Sequence, residues 1–240
     1  MRGHKAHSER GSAILYVFIG TILFGALMYS FARMSSSSDP SKVASAGGRS
    51  SAILMLEFSN AVANEVNKKI QNGCSETQLN FAYGNAANVL SYINATAPAD
   101  KSCDIFGTKG IQHLYLDTIK SQAGISGFPD NRWHFTSSDM SIMGVGPDTY
   151  IDLTMQAANI TLETCLEINK ALGINNPNNY PPRSTATFAG TNFNGTFTLG
   201  TGTQVNPVAH PLYGIDTACY VSSAGQPADR FYFYKVLIAK

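Results

Sequence analysis

Reading from the N-terminus, the first regular feature is Ser12–Ala32, an apolar run without charge or proline. As a helix it would extend about 31 Å, the thickness of a bilayer core, and would satisfy its own backbone hydrogen bonds in lipid. Residues 33–49 break the pattern. Ser35 to Ser38, Asp39-Pro40 and Gly47-Gly48 predict a flexible joint. From Ser50 to Gln71, Leu54, Phe58, Val62, Val66 and Ile70 recur every four residues, with Ile53 alongside. That spacing predicts an amphipathic helix, ended by Asn72-Gly73 and with Lys68 and Lys69 placed to favour its negative C-terminal end. The apolar stripe is expected to pack on the domain's own sheet. Packing between neighbouring subunits is the competing use.

Further along, the period changes from helical to alternating. Trp133–Thr136, Tyr150–Met155, Gly195–Leu199, Ala218–Val221 and Phe231–Ile238 read as antiparallel strands. The last is apolar on both faces and is expected to be central or covered. Thr161–Leu172 reads as a short helix closed by Gly173, with Asn159 or Thr161 as its cap. Residues 175–182 are polar and predict a loop. The expected fold class is therefore α+β: an N-terminal transmembrane helix, an amphipathic helix, then an antiparallel-sheet head with two disulfides. The expected organisation is a cytoplasmic leader (1–11), a transmembrane helix (12–32), a joint (33–49) and an extracytoplasmic head (50–240).

Composition narrows the function classes. Apolar residues make up 44% of the 240, so the chain can build a core, but only 14% are charged. Its surface must be made largely of Asn, Ser, Thr and Gly, which suits an extracytoplasmic domain or a subunit that packs on copies of itself. The net charge of +1 gives no electrostatic footprint for nucleic acid. Cys74, Cys103, Cys165 and Cys219 form no C-x-x-C pair. Downstream of a membrane segment they read as two disulfides in an oxidising compartment. Three connectivities are open; the expected one joins sequence neighbours, Cys74–Cys103 and Cys165–Cys219, with four free thiols as the alternative.

Arg2, Lys5 and Arg10 precede the apolar run, and Arg33 follows it. The positive excess places the N-terminus in the cytoplasm and the rest outside a single-pass inner-membrane anchor, in the periplasm or extracellular space. Tyr16 and Tyr29 suit the two interfaces. A plain signal anchor and a secretory signal cleaved near Ala32 are competing readings.

The junction Glu9-Arg10-Gly11-Ser12-Ala13-Ile14-Leu15 supplies another reading. A short charged leader ends in glycine where the apolar helix begins, which resembles type IV pilins and type II secretion pseudopilins. The resemblance implies a prepilin peptidase acting between Gly11 and Ser12, a helix kept as anchor and filament core, and other pilin-like subunits as partners beside the lipid bilayer. Tyr16 stands where those families usually carry glutamate, which looks more like tip-forming minor pilins and K-type pseudopilins. Asn72-Gly-Cys-Ser-Glu-Thr-Gln78, Lys101-Ser-Cys103, Cys165-Leu-Glu-Ile-Asn169 and Phe231–Lys240 also resemble a family of alphaproteobacterial pilin-like membrane proteins.

Catalytic patterns are not evident. His113, His134 and His210 lack metal spacing, and Gly144-Val-Gly146 has no lysine or helix after it. Asp104, Asp117, Asp130, Asp139 and Asp148 are scattered through loops; calcium in the 130–148 region is the alternative to plain solvation. Asn94-Ala-Thr96 and Asn159-Ile-Thr161 match glycosylation sequons. The 11 tyrosines and 13 phenylalanines read as a β core before they read as a sugar-binding patch. No enzyme, cofactor or metal is expected. The expected role is a pilin-like or pseudopilin-like subunit in filament assembly, adhesion or secretion. The alternative is a membrane-tethered binding module that does not polymerise.

Overall fold

The computed structural model describes residues 40–82, 92–111, 133–138, 140–147, 150–184, 186, 191–200, 203–204, 210–222 and 230–240. Two compact units divide the chain, Met1–Ala44 and Ser45–Lys240. The leader, the apolar run 12–32 and the junction Gly11–Ser12 lie outside the described residues. Among the described residues, no helix is long and apolar enough to cross a membrane.

The larger unit is α+β. Helix α1 spans Pro40–Gln71 and α2 spans Leu162–Ala171. The strands are β1 (Trp133–Thr136), β2 (Met140–Ser141), β3 (Leu153–Ile160), β4 (Arg183–Ser184), β5 (Thr203–Gln204), β6 (Thr217–Ser222) and β7 (Arg230–Ile238). Five of them form one sheet in the order β1-β3-β7-β6-β4, and β2 pairs with β5 separately. The apolar strand β7 lies at the centre of the five.

The sheet is mixed, which corrects the all-antiparallel expectation. β1, β3, β7 and β6 alternate in direction, but β4 runs parallel to β6. The reason is the connection. The chain leaves β3, crosses through α2 and returns to start β4 in the same direction, and a helical crossover of this kind yields parallel strands. A second correction concerns Gly195–Leu199, which is no regular strand: among the described residues it forms one isolated bridge, Leu199 with Tyr150, beside backbone bonds of Thr198 to Ser137 and Ile151. Gly195 sits at φ 92° against Asn94 and Thr77, so the chain turns there. Its neighbours serve another strand: Phe193 N–H donates to Phe135 O and Thr198 N–H to Ser137 O.

Helix α1 begins at Pro40, so residues 40–49, expected to be joint, are helical. Proline is pre-set for a first helical turn. Gly48 does not break the helix, and it is buried against α2: a Cβ at Gly48 would lie 2.8 Å from Glu163 Cβ. The helix ends at Gly73 (φ 97°), with Gly73 N–H donating to Ile70 O and Cys74 N–H to Lys69 O. This paired closure satisfies carbonyls that the last turn leaves free.

The buried side of α1 is Ala52, Met55, Phe58, Ser59, Val62, Val66 and Lys69. Phe58, Val62 and Val66 of the expected stripe are buried and Ile70 packs on the core, but Leu54 and Ile53 are exposed at 48% and 46%, which corrects its first turn. The helix turns about 100° per residue, so a strict spacing of four drifts by about 40° at each step. A row begun at Leu54 winds around the helix. The core instead selects spacings of three and four.

One sheet face packs on the helices. Trp133 and Phe135 of β1 meet Phe58, Phe81 and Phe106, with Phe81 stacked on Phe135 at 4.5 Å between ring centres. The other face carries Tyr220, Tyr232 and Tyr234 with Met140, Ile142 and Leu212. The alternating side chains of β6 and β7 thus fill two cores, which is why β7 reads as apolar throughout.

Disulfides join Cys74 to Cys103 and Cys165 to Cys219. The first ties the end of α1 to the segment 98–111. The second ties α2 to β6, with both cysteines fully buried.

Candidate functional site

Among the described residues, the outer face of α1 and a depression beside the end of α2 are candidate surfaces. On α1, Ile53 and Leu54 are exposed among Arg49, Ser50, Glu57, Asn60, Ala61 and Asn64, all exposed as well. This helix face holds a large apolar pair between two opposite charges, Arg49 and Glu57.

The depression forms where α2 stops. Thr161 caps the start of α2, its Oγ1 accepting from Thr164 N–H. Gly173 (φ 72°) ends the helix, donating to Lys170 O, while Ile174 N–H donates to Asn169 O. The following segment, Asn175-Asn-Pro-Asn-Asn179, holds Asn178 and Asn179 in the left-handed region at φ 56° and 55°. Asparagine tolerates that region better than most residues. The result is an open hollow of about 660 Å³, with Leu166 and Ile174 half-buried in it and Glu167, Lys170, Asn175 and Asn179 along it.

A hydrogen-bond network fixes one wall. Asn169 is fully buried; its Nδ2 donates to Cys219 O and to Asn176 Oδ1, and its Oδ1 accepts from Cys219 N–H. Asn176 Nδ2 donates in turn to Leu166 O. Asn169 thereby acts as a strand partner for the part of β6 that the short β4 does not reach. Lys170 and Glu167 pair at 3.1 Å and cancel each other's charge.

A second network closes the far end of α1. Lys69 is buried, and its Nζ donates to Ser102 O at 2.9 Å and Lys109 O at 2.6 Å, with Glu65 Oε1 at 3.6 Å. The ammonium holds the 98–111 segment against the helix beside the Cys74–Cys103 bridge. At the other end of the sheet, Asp152 accepts from the backbone N–H of Ile142 and of Lys240, and Lys240 Nζ pairs with Glu76. The edge strand β1 is closed by Tyr92, whose hydroxyl donates to Trp133 O and accepts from Phe135 N–H. Burial pushes the Tyr220 phenol well above its ordinary range, and neighbouring Tyr232 and Tyr234 add to this. Burial also raises Tyr232, opposed by Arg230 beside it.

Among the described residues, those singled out from sequence do not converge. His134 lies on β1 and His210 beside β4, where its Nε2 meets Arg183 O and its Nδ1 accepts from Leu212 N–H. Asp104 accepts from Asn80 Nδ2. His113, Asp117, Asp130, Asp139 and Asp148 lie outside the described residues, and the last three are the carboxylates of the suggested calcium region. Among the described residues, no group of three or more His, Cys, Asp or Glu could hold a metal ion.

Both sequon asparagines are buried. Asn94 donates to Thr77 O and Leu79 O, and Asn159 sits at a bulge in β3 with φ 57°. Sequence reasoning missed Asn169, Asn175, Asn176 and Asn179 as a unit. The one available signal was the density of asparagine directly after a helix-ending glycine. Comparison with protein-family models, curated proteins and solved structures returns no match to this chain.

Proposed function

We propose that the protein is a pilin-like, non-enzymatic subunit. It is anchored in the inner membrane by Ser12–Ala32 and carries a disulfide-bonded α+β head outside the cytoplasm. The observation that carries this reading is α1. It follows the apolar run in sequence, buries one side against the core, and leaves Ile53 and Leu54 exposed on its outer face. An exposed apolar pair on a long helix suits packing against neighbouring subunits. Assembly would exchange lipid contacts of the apolar run for contacts with other helices. The two disulfides suit an oxidising compartment. The test is the N-terminus of protein purified from membranes. A first residue at Ser12 is the expected result, because a prepilin-type peptidase would cut after Gly11. A first residue at Arg33 would mean release by a secretory peptidase and would overturn the reading.

A further inference from the structure

The depression at the end of α2 exposes two carboxamides, of Asn175 and Asn179, that the described fold does not use. Leu166 and Ile174 supply a small apolar floor. Asn176 is immobilised through both ends of its carboxamide. Asn175 and Asn179 are exposed on the rim, and their carboxamides make no hydrogen bond with the described residues. We infer that this depression binds a neutral saccharide.

The class of ligand follows from charge, size and hydrogen-bond type. Glu167 and Lys170 neutralise each other, so the site has no net attraction for an ion. The C-terminal end of α2 carries partial negative charge, which further disfavours anions. Two half-buried aliphatic residues are too little surface to hold an acyl chain or an apolar peptide anchor. Carboxamides both donate and accept, as do sugar hydroxyls, so adjacent hydroxyls can take a donor and an acceptor from one asparagine. The volume of about 660 Å³ lies within the range of small-ligand sites. The wall beneath is held by Asn169 and the Cys165–Cys219 bridge, so binding orders only rim side chains. The open shape implies weak binding to one unit, and several copies displayed together would strengthen it. The inference holds whether or not the subunit polymerises.

The test is saturation-transfer NMR on the full chain in lipid nanodiscs. The probes are the methyl glycosides of glucose, galactose, mannose and N-acetylglucosamine, with methyl glucuronide as the charged comparison. Transfer to at least one neutral glycoside is expected above empty nanodiscs, and above methyl glucuronide. It should fall at least five-fold in the Asn175→Ala, Asn179→Gly double variant. Glycine at 179 keeps the left-handed backbone accessible. Hydrogen exchange at Cys219 should be the same in both proteins, which shows that the wall is intact. No transfer to any neutral glycoside, transfer undiminished in the double variant, or stronger transfer to methyl glucuronide would each overturn the inference.

Discussion

Replacing Asn169 with alanine tests the wall of the depression and the edge of the main sheet together. The side chain is fully buried and makes three hydrogen bonds, at 2.8 to 2.9 Å, two of them to the backbone of Cys219. Those two groups point away from β7, and β4 covers only Val221 and Ser222. Truncation therefore leaves a buried N–H and a buried C=O without partners. Each such loss costs about 1–3 kcal/mol, so the expected total is about 2–6 kcal/mol. That is a large part of the about 5–15 kcal/mol that keeps a typical domain folded. The Cys165–Cys219 bridge keeps α2 tethered to β6, so the variant should still fold. Denaturant unfolding of the full chain in detergent, with disulfides intact, measures the loss. Hydrogen exchange of the peptide bearing Cys219 locates it, because that amide donates to Asn169. Asn169→Asp should cost at least as much, since a carboxylate would face Cys219 O and Asn176 Oδ1. A loss below about 0.5 kcal/mol with unchanged exchange at Cys219 would refute the assignment of Asn169 as a surrogate strand partner.

Lys69→Met keeps the stem but strands the carbonyls of Ser102 and Lys109. A loss of about 2–4 kcal/mol is expected, with faster exchange in 98–111 and none in β7; a uniform change would argue against a local clasp. Gly48→Ala gains about 1 kcal/mol of helix propensity but forces a Cβ to 2.8 Å from Glu163 Cβ, so a net loss of about 1 kcal/mol is expected in a thermal melt. A more stable variant would show that α1 and α2 separate easily. Tyr220→Phe removes a buried hydroxyl with no hydrogen-bond partner among the described residues, so at pH 7 it should be neutral or stabilising by up to about 1 kcal/mol. The raised pKa of Tyr220 means the native state keeps its proton where the unfolded state releases one. That contribution is complete below about pH 10 and is lost as pH rises through the folded pKa, so Tyr220→Phe should lose less stability in alkali.

Local chemistry was legible from the residues alone. Helix ends at Gly73 and Gly173 follow from glycine's access to positive φ, and the cap at Thr161 from its hydroxyl. β1, β6 and β7 appear where alternation places them, because the side-chain period of a strand is a property of its backbone. Where sequence reasoning failed, distant partners made the decision. Nothing near Gly48 announces that Glu163 will pack on it, so a glycine pair that favours a joint became helix. The row from Leu54 is covered from Phe58 onward, yet Leu54 and Ile53 themselves stay exposed while Ala52 and Met55 are buried.

The chain by itself determined the apolar run, the period of each main element and a cysteine set able to bridge, since these depend on residues within a turn or two of one another. Tertiary structure decided which side of α1 is covered, that β4 runs parallel to β6, and that Asn169 and Asn176 join in one network with the backbone of β6. Those outcomes depend on backbone groups many residues away, such as the N–H and C=O of Cys219, whose unmet hydrogen bonds only a side chain from another element could satisfy.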